Sequence, residues 1–360
     1  MFVNKKIEEA CTIDSSFYSS ESIFANTKKI FENSWQFITH QSNLIKKNAF
    51  PFFYLEEYIN EPLLLLKDKN DELNCFSNVC THRGNILVEK HCQVKDSLLC
   101  RYHGRKFNFQ GNCMFMPKFE NVQGFPSKSD SLTNVQFSKW RNFIFCSLGS
   151  KYKLNSFFSD MENRIGWMPI EDFIYKPELS KDYFVKANWA LYCDNYLEGF
   201  HIPFVHHDLA KQFKYDEYAV ELFPYSNLQL GIGKKGEGCF DLPKDSKDYG
   251  KNIIAYYFWV FPNMMFNFYP WGLSINIVKP IGMDKTQVSF ITYVYDETKL
   301  NRGAGALLDK VELEDEFVVE GVHKGLKSRY YKAGRFSPTR EQGVHHFHLL
   351  LARYMNKEID

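Results

Sequence analysis

The 360-residue chain has no excess charge of either sign: Lys and Arg total 44, Asp and Glu 43. That balance gives nucleic acid or an anionic membrane surface no electrostatic footprint. No apolar run reaches the roughly 18 residues of a membrane-spanning helix. The start, Met1-Phe2-Val3-Asn4-Lys5-Lys6, lacks the apolar core of about 7–15 residues that a secretion signal carries. The nine cysteines are odd in number, and Cys11, Cys75, Cys92, Cys113, Cys146, Cys193 and Cys239 show no framework spacing. A disulfide scaffold is therefore excluded, and these side chains read as reduced thiols. Together these absences imply a cytoplasmic protein. There is no internal repeat and no low-complexity segment. Gly231-Ile232-Gly233-Lys234-Lys235-Gly236 matches a dinucleotide fingerprint, but the helix that must follow is missing, because Glu237-Gly238-Cys239-Phe240-Asp241-Leu242-Pro243 has no helical pattern. The segment reads as a flexible loop, so the chain carries no reductase module of its own.

What the chain does have is concentrated in two places. The first is Cys80-Thr81-His82-Arg83-Gly84 with Cys100-Arg101-Tyr102-His103-Gly104. Each loop offers one Cys and one His, with a glycine close by. Two thiolates for one iron and two imidazoles for the other is the donor set of a Rieske [2Fe–2S] centre. A structural zinc site fits less well. Zinc favours paired cysteines followed by paired histidines, and here each pair is mixed. The second place is Glu198-Gly199-Phe200-His201-Ile202-Pro203-Phe204-Val205-His206. The spacing predicts Glu198 and His201 on one face of a helix that Pro203 ends or kinks, with His206 swinging back. Two imidazoles so placed lack only a carboxylate to form the 2-His-1-carboxylate triad of non-haem Fe(II). His207 reads as a neighbour rather than a ligand.

The carboxylate is sought among Asp309, Glu312, Glu314, Asp315, Glu316 and Glu320. On a helix, Val311, Val318, Val319, Val322 and Leu326 fall on one side with Asp315 in their midst. Glu312, Glu316, Glu320 and His323 rotate to a flank expected to face solvent. A buried carboxylate needs a cation, so Asp315 is the expected third ligand. An ion pair with Arg329 is the alternative. His345, His346 and His348 read as packing or surface histidines on a C-terminal helix.

Coarse periodicity gives an α+β chain. A helix begins at Ser20-Glu21. Strands follow at Phe50–Tyr54, Leu63–Leu66 and Asn74–Val79, with a turn at Gly111-Asn112 and further strands over 135–148. A strand is expected around Tyr183–Asn188, and sheet over 256–295 with both faces covered. The aromatic content of 17%, including 34 Phe, suits a large core or an apolar pocket. The expected division is 1–35, a helical segment packed on the catalytic domain; 36–150, an all-β unit holding the cluster; and 151–360, the catalytic domain.

From about Trp35 to its end the sequence resembles the alpha subunits of Rieske-type aromatic ring-hydroxylating oxygenases. His82-Arg83-Gly84 and Tyr102-His103-Gly104 match the family's loops. The Glu198–His206 segment is similar to its acidic-x2-His-x4-His motif, and the family's distant Asp ligand precedes a stretch like Gly325-Leu326-Lys327-Ser328. Arg105 departs from the pattern, standing where the family usually has Trp, with consequences expected for the docking surface or the cluster potential. The respiratory type of Rieske protein, with a disulfide between the ligand loops, is disfavoured because Asn85 follows Gly84 and no Cys is close.

The resemblance implies a helix-grip catalytic fold. It also implies oxygenation with O2 at a mononuclear iron, driven by NAD(P)H through a separate reductase and sometimes a ferredoxin. A head-to-tail homotrimer is implied as well, in which an acid at the position of Glu198 bridges one subunit's cluster to the next subunit's iron. The substrate is expected to be an aromatic or related apolar small molecule. The alternative is a quaternary amine, because Glu at that position occurs in members acting on quaternary amines. Tyr256, Tyr257, Trp259, Phe266, Phe268, Tyr269 and Trp271 could cage such a cation, although sheet core is the plainer reading of them. Asn195 and Tyr196 are expected just outside the metal ligands. An electron carrier with an inert second half is the remaining reading.

Overall fold

The computed structural model describes residues 1–300, 303–306 and 308–357. It divides into two compact units, Trp35–Lys151 and the combination of Met1–Ser34 with Tyr152–Asp360.

The first unit is built from three small antiparallel sheets. β1 (Gln36–His40) pairs with β9 (Phe143–Ser147), which pairs with β8 (Gln136–Trp140). β2 (Ala49–Tyr54), β3 (Glu61–Lys67) and β4 (Leu73–Ser77) form the second sheet, and β5 (Leu98–Leu99), β6 (Lys106–Phe107) and β7 (Cys113–Phe115) the third. The unbroken Leu63–Leu66 run is fully buried, which a strand tolerates when both its faces are covered. The core runs through Leu64, Leu66, Phe76, Leu98 and Phe107 directly into Cys80 and Cys100.

The second unit is a helix-flanked antiparallel sheet. β12 (Ala219–Leu222), β13 (Ser226–Ile232), β14 (Ile253–Val260), β15 (Met264–Tyr269), β16 (Gly272–Gly282) and β17 (Lys285–Val294) form a meander, and β10 (Ile174–Tyr175) and β11 (Lys181–Val185) both pair with β17. The strand expected at Tyr183–Asn188 stops at Val185, because Asn188 turns the chain and caps a helix by accepting from the Ala190 N–H. Along β14 and β15 the pleat sends Tyr257, Asn267 and Tyr269 to one face, while Tyr256, Phe258, Phe266 and Phe268 pack on the other. Besides a single α-helical turn at Ser16–Ser19, the α-helices among the described residues are α1 (Glu21–Glu32), α2 (Asn155–Ile165), α3 (Trp189–Tyr196), the single turns α4 (Ile202–Val205) and α5 (His207–Ala210), then α6 (Leu308–Gly325) and α7 (Gln342–Met355). Ser20 stands at the cap position of α1, but its hydroxyl bonds Ser22 instead of the helix backbone. The N-terminal residues pack on this second unit: Phe31 meets Trp189 edge-on with ring centroids 4.8 Å apart. Gly231 lies inside β13 and a turn follows it, with no helix. No helix among the described residues is long and apolar enough to cross a membrane.

One buried charge group ties α2 to the sheet. Arg164 donates to Asp248 through Nε at 2.5 Å and Nη2 at 2.8 Å, and through Nη1 to Glu221 at 3.1 Å. The Tyr256 hydroxyl also donates to Asp248, at 3.1 Å. Burial alone would raise the Asp248 carboxyl, but Arg164 and Lys251 outweigh it and hold it below its ordinary value. Asp248→Ala removes the buried partner of Arg164, leaving it only the more exposed Glu221, and is expected to cost about 3 kcal/mol in denaturant unfolding. A folded-state value below the unfolded one gives stability that is present above pH ~3.9 and is lost as pH falls through the folded value. The Ala variant should therefore show a flatter acid limb than the native chain.

Candidate active site and cluster loops

The two loops of the first unit are built alike. The Cys80 N–H donates to the Asn85 carbonyl and the Cys100 N–H to the Arg105 carbonyl, both at 2.8 Å. Each loop closes with a glycine N–H on the Cys carbonyl, Gly84 to Cys80 at 3.0 Å and Gly104 to Cys100 at 2.9 Å. Both glycines have positive φ, 70° and 74°, which explains the residue type. The sulfurs sit inside the core, and the histidine rings lie toward the surface with centroids 4.8 Å apart. His103 Nδ1 is buried without a hydrogen-bond partner among the described residues, as a nitrogen meant for a metal would be. The Asn85 amide points at the Cys100 sulfur, 3.8 Å away. Two inner thiols and two outer imidazoles are a donor set that would suit a [2Fe–2S] group.

Arg105 is not on a docking surface. It is buried, donating to Thr81 Oγ1 at 2.9 Å and pairing with Asp130 at 3.4 Å. Its guanidinium lies 5.6 Å from the Phe119 ring centroid and 5.3 Å from that of Phe125. A cation stacked on two rings replaces the apolar side chain expected there, and through Thr81 it braces the loop between Cys80 and His82.

In the second unit, His201, His206 and Asp315 converge, each offering a ligand atom within 4.8 Å of the others. The local chain differs from the single kinked helix expected from sequence. α3 ends at Tyr196, so Glu198 lies beyond it, His201 caps α4, and Pro203 sits in the first turn of that helix. Proline is acceptable there because the first-turn N–H groups have no helical partner. Glu198 still reaches His201: its Oε1 lies 2.6 Å from Nδ1, and its Oε2 accepts from the His201 backbone N–H at 3.1 Å. His206 Nδ1 is held by Glu314 at 2.7 Å, while its Nε2 lies 3.0 Å from Asp315 Oδ1. His201 Nε2 is 3.5 Å from the same oxygen. Each ring thus has one nitrogen fixed by an outer carboxylate and the other turned to a common point. That is the arrangement that orients histidines on a metal. Asp315 pairs with His201 and His206, and among the described residues no ion pair joins it to Arg329.

The α6 face is rotated from the one expected. Glu312 and His323 are buried rather than solvated, and Val322 is 45% exposed. Counting valines put the apolar stripe at the centre of the buried face, but α6 turns its acidic edge toward a polar cavity. There Glu312 Oε2 accepts a hydrogen bond from the Tyr192 hydroxyl. Burial pushes the Glu312 carboxyl up to about 8.

The cavity opens beside the triad, with a volume of about 110 Å³. Tyr196, Tyr218, Tyr257 and Tyr269 line it, with amides from Asn195, Gln229, Asn267 and Asn276. Hydrogen bonds fix the tyrosines: the Tyr196 hydroxyl donates to Asn267 at 2.7 Å and that of Tyr218 to Gln229 at 3.2 Å. Tyr257 and Tyr269 meet edge-on at 5.9 Å. Burial raises all four hydroxyls, so the rings stay neutral. Gly199 is required beside Glu198, since a Cβ there would lie 2.6 Å from the Tyr218 ring.

Of the seven aromatics proposed from sequence, Tyr257 and Tyr269 line this cavity. Tyr256, Trp259, Phe266 and Phe268 are core, and Trp271 stacks behind Tyr269 at 5.1 Å. Tyr192 and Tyr218 were missed, and Asn195 and Tyr196 line the cavity itself. The two-residue alternation of β14 and β15 could have separated Tyr257 and Tyr269 from their neighbours. Among the C-terminal histidines, His348 is buried, with Nε2 2.9 Å from Asp194, and His345 bonds the Asn4 carbonyl.

The model of the ring hydroxylating alpha subunit (catalytic domain) matches residues 167–357, and that of the Rieske [2Fe-2S] domain matches residues 34–126. The chain is 28% identical to the carnitine monooxygenase oxygenase subunit of Escherichia coli (strain K12), over 96% of this chain and 94% of that one. It is 26% identical to the chloroplastic choline monooxygenase of Beta vulgaris, over 96% of this chain and 77% of that one. A solved quaternary ammonium Rieske monooxygenase superposes with a TM-score of 0.78 at 24% identity, covering 98% of this chain and all of that one.

Proposed function

The chain belongs to the ring-hydroxylating alpha-subunit family of Rieske oxygenases, and from that premise we propose that it oxygenates a small quaternary ammonium compound at a carbon beside the nitrogen. Its cofactors are a Rieske [2Fe–2S] cluster and a mononuclear iron, and it depends on an electron-transfer partner. In this reading Cys80, Cys100, His82 and His103 hold the cluster, and His201, His206 and Asp315 hold the mononuclear iron. When bound, the cluster supplies single electrons and the mononuclear iron the open positions at which O2 is activated.

The observation that carries the substrate reading is the tyrosine-lined cavity beside the triad. A methylated ammonium is attracted to neutral ring faces, and Tyr196, Tyr218, Tyr257 and Tyr269 supply four. The four amides among the lining residues suit a polycyclic arene poorly. The cavity thus favours the quaternary amine over the aromatic substrate that the broader family resemblance suggested. The two names among the relatives, a choline and a carnitine monooxygenase, point the same way.

The chain's own residues then have defined tasks. The tyrosines orient the methylated nitrogen, Glu198 and Glu314 hold the outer nitrogens of His201 and His206, and the sheet behind Tyr257 and Tyr269 excludes bulk water. Electrons come from a separate reductase, directly or through a ferredoxin. The two metal sites belong to separate units, and we infer a head-to-tail homotrimer in which Glu198 meets His82 or His103 of a neighbouring copy. Phe200 and Phe204 are exposed beside Glu198, and such side chains favour a contact there.

Turnover assays on the reconstituted protein with a general reductase test the substrate. Trimethylammonium compounds should yield an oxygenated or demethylated product by mass spectrometry, and naphthalene should not react. Arene diols without turnover of any quaternary amine would overturn the reading.

A further inference from the structure

One group in the cavity is explained neither by the metal ligands nor by the ring faces. Glu312 lies three residues before Asp315 on α6 and lines the cavity, yet it is 3% exposed. Its Oε2 is paired with Tyr192, whereas its Oε1 is buried with no hydrogen-bond partner among the described residues. Leaving a buried carboxylate oxygen unpaired is costly, and each such group calls for an explanation. A structural hydrogen bond to Tyr192 needs only one oxygen and would be served equally by Gln.

The rest of the wall indicates what would pair with Glu312. Its ionisable acids are Glu198, Glu312 and Asp315, its amides are neutral, and no Lys or Arg is among the lining residues. A divalent iron held by two neutral imidazoles and Asp315 leaves Glu198 and Glu312 without a positive partner inside the cavity. A methylated ammonium cannot donate a hydrogen bond. It is held by ring faces and by a carboxylate close enough to act through a poorly screened interior. A substrate carboxylate would meet acids and no cation.

We propose that Glu312 is the group through which this site reads positive charge, so that the substrate is a small quaternary ammonium with an uncharged tail rather than a zwitterion. This rests on the quaternary ammonium reading above and narrows it. The amides of Asn195 and Asn276 then receive a hydroxyl-type tail. Burial raises the Glu312 carboxyl, and a cation held beside it would favour its charged form.

The test is equilibrium binding by calorimetry, on full-length protein carrying both metal centres, with iron content checked for each variant. The probes are choline, its uncharged carbon isostere 3,3-dimethyl-1-butanol, and the zwitterion glycine betaine. The native protein should bind choline at least about tenfold more tightly than either of the others. Glu312→Gln should bring choline and the isostere to within about twofold while leaving the isostere's own affinity nearly unchanged. Tyr192→Phe removes the structural bond but keeps the carboxylate, so it should retain the preference for choline. Four results count against the proposal. If Glu312→Gln keeps its iron and its full preference, Glu312 does not read charge, while the quaternary ammonium reading stands. If Tyr192→Phe loses the preference as Glu312→Gln does, the role is structural. Betaine bound as tightly as choline overturns the uncharged tail. If the native protein does not prefer choline to the isostere, the quaternary ammonium reading itself fails.

Discussion

Asp315→Ala is expected to empty the mononuclear iron site and abolish turnover, while the visible absorbance of the Rieske cluster stays unchanged. The variant removes the one oxygen that both His201 Nε2 and His206 Nε2 face, at 3.5 Å and 3.0 Å. Two imidazoles alone do not complete a facial triad. The cluster loops belong to a separate compact unit with its own core, so their metal should survive the change. Glu314→Gln is the control. Glu314 holds the far nitrogen of His206 at 2.7 Å, and removing such an outer partner costs about 10–100-fold in metal affinity or activity. The Asp315 variant should fall well below that range. Retained mononuclear iron in Asp315→Ala together with loss in Glu314→Gln would exchange the two roles. Metal analysis and the cluster's visible spectrum, taken on the same samples, decide it.

Glu198→Gln is expected to leave both metal centres occupied and the cluster reducible by dithionite, yet to slow reoxidation of the cluster by O2 and substrate by about 10–100-fold or more. Glu198 accepts through both oxygens: one faces His201 Nδ1, the other the backbone N–H groups of Phe200 and His201. Glutamine preserves the size and one acceptor but loses the charge that makes the imidazole a better donor to metal. In the proposed ring of three copies the same carboxylate meets a cluster histidine of a neighbour, so the variant interrupts transfer at the junction. Single-turnover stopped-flow measurements separate this from substrate binding. Unchanged reoxidation kinetics would remove Glu198 from the route. A stable monomer with full activity at high dilution would remove the cross-subunit arrangement.

The residues of the two candidate metal sites were legible because their chemistry is local. The Cys–His loops carry their ligands within a few residues, and the glycines at positive φ in each loop are visible in the sequence. His201 and His206 were legible as a motif, even though the helix assumed between them is two pieces. Asp315 was chosen by a helical-face argument that held only in part, and the structure brings it together with His201 and His206. The buried side of α6 does include Asp315, but it also takes in Glu312 and His323, which sequence reasoning assigned to solvent. A valine count measures the average tendency of a helix to bury one face. It cannot register that the opposing surface is a cavity lined by tyrosines and amides. Tyr192 and Tyr218 escaped notice for the same reason, since only tertiary packing brings them beside β14 and β15. Arg105 was read as a surface or redox change at a ligand loop. Asp130 and the rings of Phe119 and Phe125 place it in the core, off the surface, beside the Cys80 loop, and none of these is near it in sequence.

The account rests on one chain holding two distinct iron centres. The most direct measurement is the iron, zinc and acid-labile sulfide content of anaerobically purified protein, taken with the electron paramagnetic resonance of the dithionite-reduced sample. About three irons and two sulfides per chain are expected, two irons in the cluster and one mononuclear, with the resonance of a reduced [2Fe–2S] centre. Stoichiometric zinc in a colourless protein with no sulfide would contradict it.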